Sequence, residues 1–143
     1  MLTRYPDWRE RLGRFLASNQ SRPFQYGSWD CCLFPCDSIR EITGTDIAAE
    51  FRGQYASRKD AYAAIRSRAG RASVRAVAEY VTTAHQMPSC PISYAQTGDL
   101  VLIQRPDDYS LGILGLNGRE IIVTRARGLC KIPLTHGVTA WHA

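Results

Sequence analysis

Apolar residues near the start of the chain recur at helical spacing. Trp8, Leu12, Phe15 and Leu16 share one face, Arg9, Glu10 and Arg14 lie elsewhere on the wheel, and Pro6 suits a first helical position. This predicts an amphipathic first helix. A polar break from Ser18 to Pro23 leads into Phe24-Gln25-Tyr26-Gly27-Ser28-Trp29, whose aromatics and glycine suggest a packed loop. Asp30 then suits the N-cap of a second helix opened by Cys31, with Leu33, Phe34, Ile39 and Ile42 as apolar contacts and Gly44 as its stop. Pro35 complicates that start. It has no N–H to bond the Cys31 carbonyl, so either the first turn is distorted or the helix begins later. Ser57 and Asp60 resemble a capping box for a helix through Ala61, Ile65 and Ala69 that ends at Gly70, and Ser73 suits the cap of another through Val77, Tyr80 and Val81.

From Gly98 the period changes. Leu100–Ile103, Leu111–Leu114 and Ile121–Val123 read as short strands, with Asn117-Gly118 as a hairpin turn between the last two. Leu129–Leu134 and Val138–Trp141 suit two more. Helices followed by neighbouring antiparallel strands is the α+β order, distinct from the βαβ alternation of a parallel sheet. At 143 residues, without repeat, linker or low-complexity stretch, residues 1–143 are expected to form one domain.

Charge and composition narrow the functional classes. The net charge of +5 permits an anionic partner without selecting one. Arg58, Lys59, Arg66, Arg68, Arg71 and Arg75 cluster on the third and fourth predicted helices, but no aromatic residues interleave as base-stacking platforms require. A solvated helix surface is therefore expected, and nucleic acid is not. The start of the chain lacks the apolar stretch of a signal peptide, and no run approaches the ~18 apolar residues of a membrane span. The expectation is a protein made in the cytoplasm with no membrane span. Five cysteines is an odd number, which in a reducing compartment reads as free thiols or metal ligands.

Cys31 is the first candidate nucleophile, because a helix N-terminus presents N–H groups that favour thiolate over thiol. The plainer reading makes Cys31 and Cys32 small half-buried core residues. A nucleophilic thiol needs a base, normally histidine. His85 ends a predicted helix, and His136 and His142 flank the last strand, which is ordinary for solvated or end-of-element histidines. A metal or iron–sulfur reading of Cys31, Cys32, Cys36, Cys90 and Cys130 lacks the paired Cys-x-x-Cys spacing of common zinc modules. No cofactor is expected.

Tyr26-Gly27, Asp30-Cys31, Gly98-Asp99-Leu100-Val101, Ser110-Leu111-Gly112-Ile113 and the Asn117-Gly118 turn together resemble the NlpC/P60 cysteine peptidases, papain-like cell-wall hydrolases that include phage tail-tip proteins. Over nearly the whole chain, Asp30-Cys31-Cys32-Leu33-Phe34, Thr43-Gly44-Thr45-Asp46, Arg52-Gly53-Gln54-Tyr55 and Ala140-Trp141 look like small phage and prophage proteins encoded among tail genes. The resemblance implies a papain-like NlpC/P60-type fold, N-terminal helices followed by a small antiparallel sheet. It casts Cys31 as nucleophile and Tyr26 as oxyanion helper. The base histidine falls on Ser110, whose hydroxyl cannot take a proton from a thiol near neutral pH. The orienting polar residue falls near the apolar Ile122 or Val123. The implied role is a tail-tip or baseplate component with a degenerate peptidase fold, located in the virion tail and partnered by other tail proteins and by peptidoglycan. An active peptidase or amidase using Cys31 with His136 or His85 as base is the alternative.

Overall fold

The computed structural model describes residues 1–143. Four helices come first: α1 (Trp8–Ser18), α2 (Leu33–Thr43), α3 (Arg58–Ala69) and α4 (Val74–Ala84). Six strands follow: β1 (Ser89–Cys90), β2 (Leu100–Gln104), β3 (Tyr109–Leu114), β4 (Glu120–Arg125), β5 (Gly128–Pro133) and β6 (Gly137–Trp141). Short 3-10 turns at Ile92–Tyr94 and Leu134–His136 complete the chain. All pairings are antiparallel, in the order β1-β6-β2-β3-β4-β5, so the fold is α+β as its sequence order implies.

The local signals act as their chemistry dictates. Ser57 accepts from Asp60 N–H and Ser73 from Ala76 N–H, satisfying N-terminal donors of α3 and α4. Gly44 and Gly70 end α2 and α3 in the left-handed region. At the β3–β4 turn, Asn117 Oδ1 accepts from the N–H groups of Arg119 and Glu120 beside the left-handed Gly118.

Two helix starts differ from the sequence expectation. Helix α1 opens at Trp8 with Asp7 at its N-cap, so Pro6 lies outside it. Helix α2 opens at Leu33, which removes Cys31 from the first helical position and leaves it in the preceding turn. Pro35 supplies the reason. At the third helical position its missing N–H falls among donors that lack an intrahelical partner anyway, so the late start costs no hydrogen bond. Strand β1 is a two-residue edge that carries no sequence signal.

The sheet is buried on both faces. Leu100, Leu102, Leu111 and Ile113 meet Leu33, Ile39, Ile42, Val77 and Val81 on the helical side. Val101, Ile103, Leu114, Ile121, Val123, Ile132 and Ala140 form the core of the other side. Burial on both faces explains why β2 reads as one continuous apolar run instead of an alternation. Trp29, Phe34, Ile122 and Leu129 form a third cluster that seats the loop before α2 against the sheet.

Candidate active site around Cys31

The loop carrying Cys31 is organised by the buried carboxylate of Asp30, which is 2% exposed. Oδ1 accepts from the N–H groups of Cys32 and Leu33, at 3.0 and 2.9 Å, and so holds the start of α2 although the N-cap position itself falls on Cys32, two residues later than the sequence suggests. Oδ2 accepts from Gly27 N–H at 3.0 Å and from the Tyr55 hydroxyl at 2.7 Å. Burial first, and Asp30 next, push the Tyr55 phenol far above its ordinary value, so it remains a donor. Four donors on one buried carboxylate thus join the Tyr26-Gly27 turn, the helix start and the segment that follows α2.

That segment, Arg52-Gly53-Gln54-Tyr55, is a second strut. Gly53 N–H donates to the Gly27 carbonyl at 2.9 Å, and Gly27, at φ 87°, leaves no room for a side chain: a Cβ would stand 2.0 Å from the Tyr55 carbonyl oxygen. Arg52 forks onto Asp46 through Nε and Nη2, at 3.0 and 2.9 Å, and also pairs with Asp37 of α2. The Arg52 hydrogen bonds hold Asp46 below the usual carboxylate range, whereas burial raises Asp37 despite the same arginine.

Cys31 itself is half-buried, and its Sγ has one polar neighbour, Cys32 Sγ at 4.0 Å. That contact and burial raise the Cys32 thiol; burial alone dominates at Cys36, whose thiol is pushed far up. Tyr26 is half-buried with its ring against Phe24, and burial followed by the nearby Cys31 raises its phenol. Tyr26 and Cys31 thus belong to the same loop before α2.

A base is not brought to them. No histidine hydrogen-bonds to Cys31. His85 caps the end of α4, His136 lies in the turn between β5 and β6, and His142 contacts Asp99. Ser110 pairs with Ile103 in the β2–β3 register, and directly opposed residues share a sheet face. Ile103 belongs to the core on the side away from the helices, so Ser110 lies on the opposite face from α2. Strand β3 offers the helices Tyr109, Leu111 and Ile113 instead. Leu111 joins Cys32, Cys36, Phe51 and Tyr55 around an apolar void of about 20 Å³ whose lining holds no histidine or carboxylate.

The five cysteines do not converge. Cys31, Cys32 and Cys36 lie at the start of α2, while Cys90 and Cys130 occupy β1 and β5, the two opposite edges of the sheet. Cys130 accepts from Arg125 Nε at 2.9 Å. A single ion or cluster held by all five is thereby excluded. The cleft of about 360 Å³ between α1 and the β4–β5 hairpin, lined by Leu16, Gln20, Leu116, Glu120 and Lys131 among others, takes in Cys130 and Ile122 but not Tyr26, Cys31, Ser110 or any histidine.

A second polar hub went unseen in the sequence. Asp99, fully buried just before β2, accepts from Arg4 Nη2 and Ala143 N–H on Oδ1, at 3.0 and 3.3 Å. Its Oδ2 accepts from Gln96 N–H at 2.8 Å and meets His142 Nδ1 at 2.7 Å. Arg4 also donates to the backbone oxygens of Thr97 and Ala143, at 2.8 and 2.9 Å, and stacks over the Trp8 ring. Residues 4, 96, 99 and 142 share no spacing that could have announced them; only the Gly98-Asp99 pair was visible.

No helix is long and apolar enough to cross a membrane. No curated protein matches the sequence. One family model, described as a domain of unknown function, covers residues 3–143 and so takes in both hubs and every element of the fold. The chain belongs to the DUF6950 family.

Proposed function

We propose that this protein is a structural component of a phage or prophage tail tip or baseplate, built on a papain-like, NlpC/P60-type frame that has lost its hydrolase chemistry. The observation that carries the reading is the pairing of a retained nucleophile loop with an absent base. Tyr26, Gly27, Asp30 and Cys31 stand together just before α2, yet Ser110 is on the other face of the sheet and the strand presents Leu111 toward Cys32 instead. A thiol without a proton acceptor is a poor nucleophile toward an amide. The polar capacity of the loop is spent on architecture: Asp30 binds four donors and Arg52 two carboxylates. On this reading the working location is the virion tail, the partners are other tail proteins, and peptidoglycan is met as a surface.

Purified peptidoglycan incubated with wild type and Cys31→Ala tests the loss of chemistry, with product masses as readout. Neither protein is expected to release peptides; release that depends on Cys31 would overturn the reading and establish the peptidase alternative. Deleting the gene from its phage or prophage tests the structural role by electron microscopy of the particles. Incomplete tails, restored by a Cys31→Ala copy, are expected. Complete and infectious particles without the gene would refute the role.

A further inference from the structure

We propose that Cys90, Asp99 and His142 form a binding site for a borderline-soft divalent cation, with zinc the ion its donors suit. Cys90 Sγ, a carboxylate oxygen of Asp99 and a ring nitrogen of His142 all lie within 4.8 Å of one another. They come from β1, from the residue before β2 and from the residue after β6, so the fold, and no sequence motif, assembles them.

Geometry and softness both favour zinc. Zinc holds sulfur at about 2.3 Å and imidazole nitrogen or carboxylate oxygen at about 2.0–2.2 Å, so its tetrahedral ligands sit roughly 3.3–3.7 Å apart. The widest separation, up to 4.8 Å, needs to close by about 1–1.5 Å, and the 2.7 Å contact between His142 Nδ1 and Asp99 Oδ2 needs to open by about 0.6–1 Å, if those two atoms are the ligands. The adjustment falls on Cys90 and His142, which are half-buried, while Asp99 stays anchored. Thiolate plus imidazole selects zinc and its transition-metal neighbours over calcium or magnesium, which prefer all-oxygen shells. Three protein ligands leave a fourth position for water, toward the solvent that His142 faces with a side chain 35% exposed.

The backbone around the donors is already held. Cys90 pairs with Ala140 across β1 and β6, its carbonyl accepts from Thr139 Oγ1 at 3.1 Å, and His142 N–H donates to the Pro88 carbonyl at 2.9 Å. Arg4, Gln96 and Ala143 hold the Asp99 carboxylate from behind, the outer contacts that orient a ligating carboxylate. The Arg4 charge weighs against a cation; the thiolate that forms at Cys90 when metal displaces its proton offsets it.

Cobalt(II) titration of the full, reduced chain tests the site. One equivalent is expected to bind, with a thiolate-to-cobalt charge-transfer band in the near ultraviolet and the visible bands of tetrahedral cobalt, all bleached by zinc. Cys90→Ser is expected to abolish the charge-transfer band, and His142→Gln to weaken binding by more than about tenfold, since even outer-contact losses reach that scale. Circular dichroism and melting in metal-free buffer establish that both variants fold. The double variant Cys31→Ser/Cys32→Ser, which removes the other thiols nearest one another, is expected to keep the signal. Absence of stoichiometric binding by folded wild type would overturn the proposal. So would a band that survives Cys90→Ser or disappears with the Cys31/Cys32 pair.

Discussion

Replacing Asp30 with Asn keeps the side chain's shape and removes its ability to accept from four donors, which makes it a direct test of the carboxylate hub. Oδ1 faces two N–H groups and Oδ2 faces Gly27 N–H and the Tyr55 hydroxyl. In either orientation the amide NH2 meets a donor. The cheaper choice turns it toward Gly27 and Tyr55, where the phenol can rotate to accept and Gly27 N–H is left orphaned. An unsatisfied buried N–H costs about 1–3 kcal/mol, and the bonds that remain lose their charge assistance, which accounts for roughly another 1 kcal/mol or more. The expected destabilisation is about 3 kcal/mol, or a melting temperature lower by roughly 10 °C for a chain of 143 residues. Tyr55→Phe removes one charge-assisted bond and is expected to cost about 2 kcal/mol. Because both changes act on the same carboxylate, their effects in the double variant should fall short of additivity by at least about 1 kcal/mol. Urea melts of the four proteins, compared at equal m-value, measure this. If Asp30→Asn lies within about 0.5 kcal/mol of wild type, the hub does not hold the loop, and the structural account of the Asp-Cys motif fails.

Three other perturbations probe the same architecture. Asp46→Asn is expected to cost stability at pH 7. Because the folded state holds the Asp46 carboxyl below its ordinary range, that stabilisation is present above the unfolded value of about 3.9 and lost as pH falls through the lower folded value, so the gap between denaturant melts of wild type and variant should begin to narrow near about pH 4 and close only below the folded value. A persistent gap there would show that the fork's charge is not its contribution. Gly27→Ala combines a left-handed φ with a Cβ 2.0 Å from the Tyr55 carbonyl oxygen, and should cost more than about 2 kcal/mol by thermal unfolding, whereas Gly53→Ala, with nothing within 4 Å, should cost only the price of its left-handed φ, about 1 kcal/mol. Equal effects would remove the argument from close approach. Arg4→Ala removes one hydrogen bond and the salt-bridging arginine from buried Asp99 and one hydrogen bond each from the Thr97 and Ala143 carbonyls, and is expected to cost about 3–5 kcal/mol and to speed hydrogen exchange at Thr97–Leu100; unchanged exchange would refute the clasp.

The sequence by itself determined the elements whose causes are local. Ser57, Ser73, Gly44, Gly70 and Asn117-Gly118 act through neighbours within four residues, so the helix limits and the hairpin could be read from them. The α+β order and the turn that Asp30 organises before α2 were legible as well. The start of α2 was not, because whether Asp30 caps at once or two residues later depends on how Pro35 is accommodated, and the two starts differ by little locally. The tertiary structure alone decided what faces Cys31. A strand's side chains alternate between faces, so one residue of register separates a Ser110 beside the thiol from a Ser110 on the other side of the sheet, and the sheet's two cores made that choice. It alone also joined residues 4, 99 and 142 around one carboxylate and brought Cys90 beside them, since contacts between the two ends of a chain leave no spacing in it.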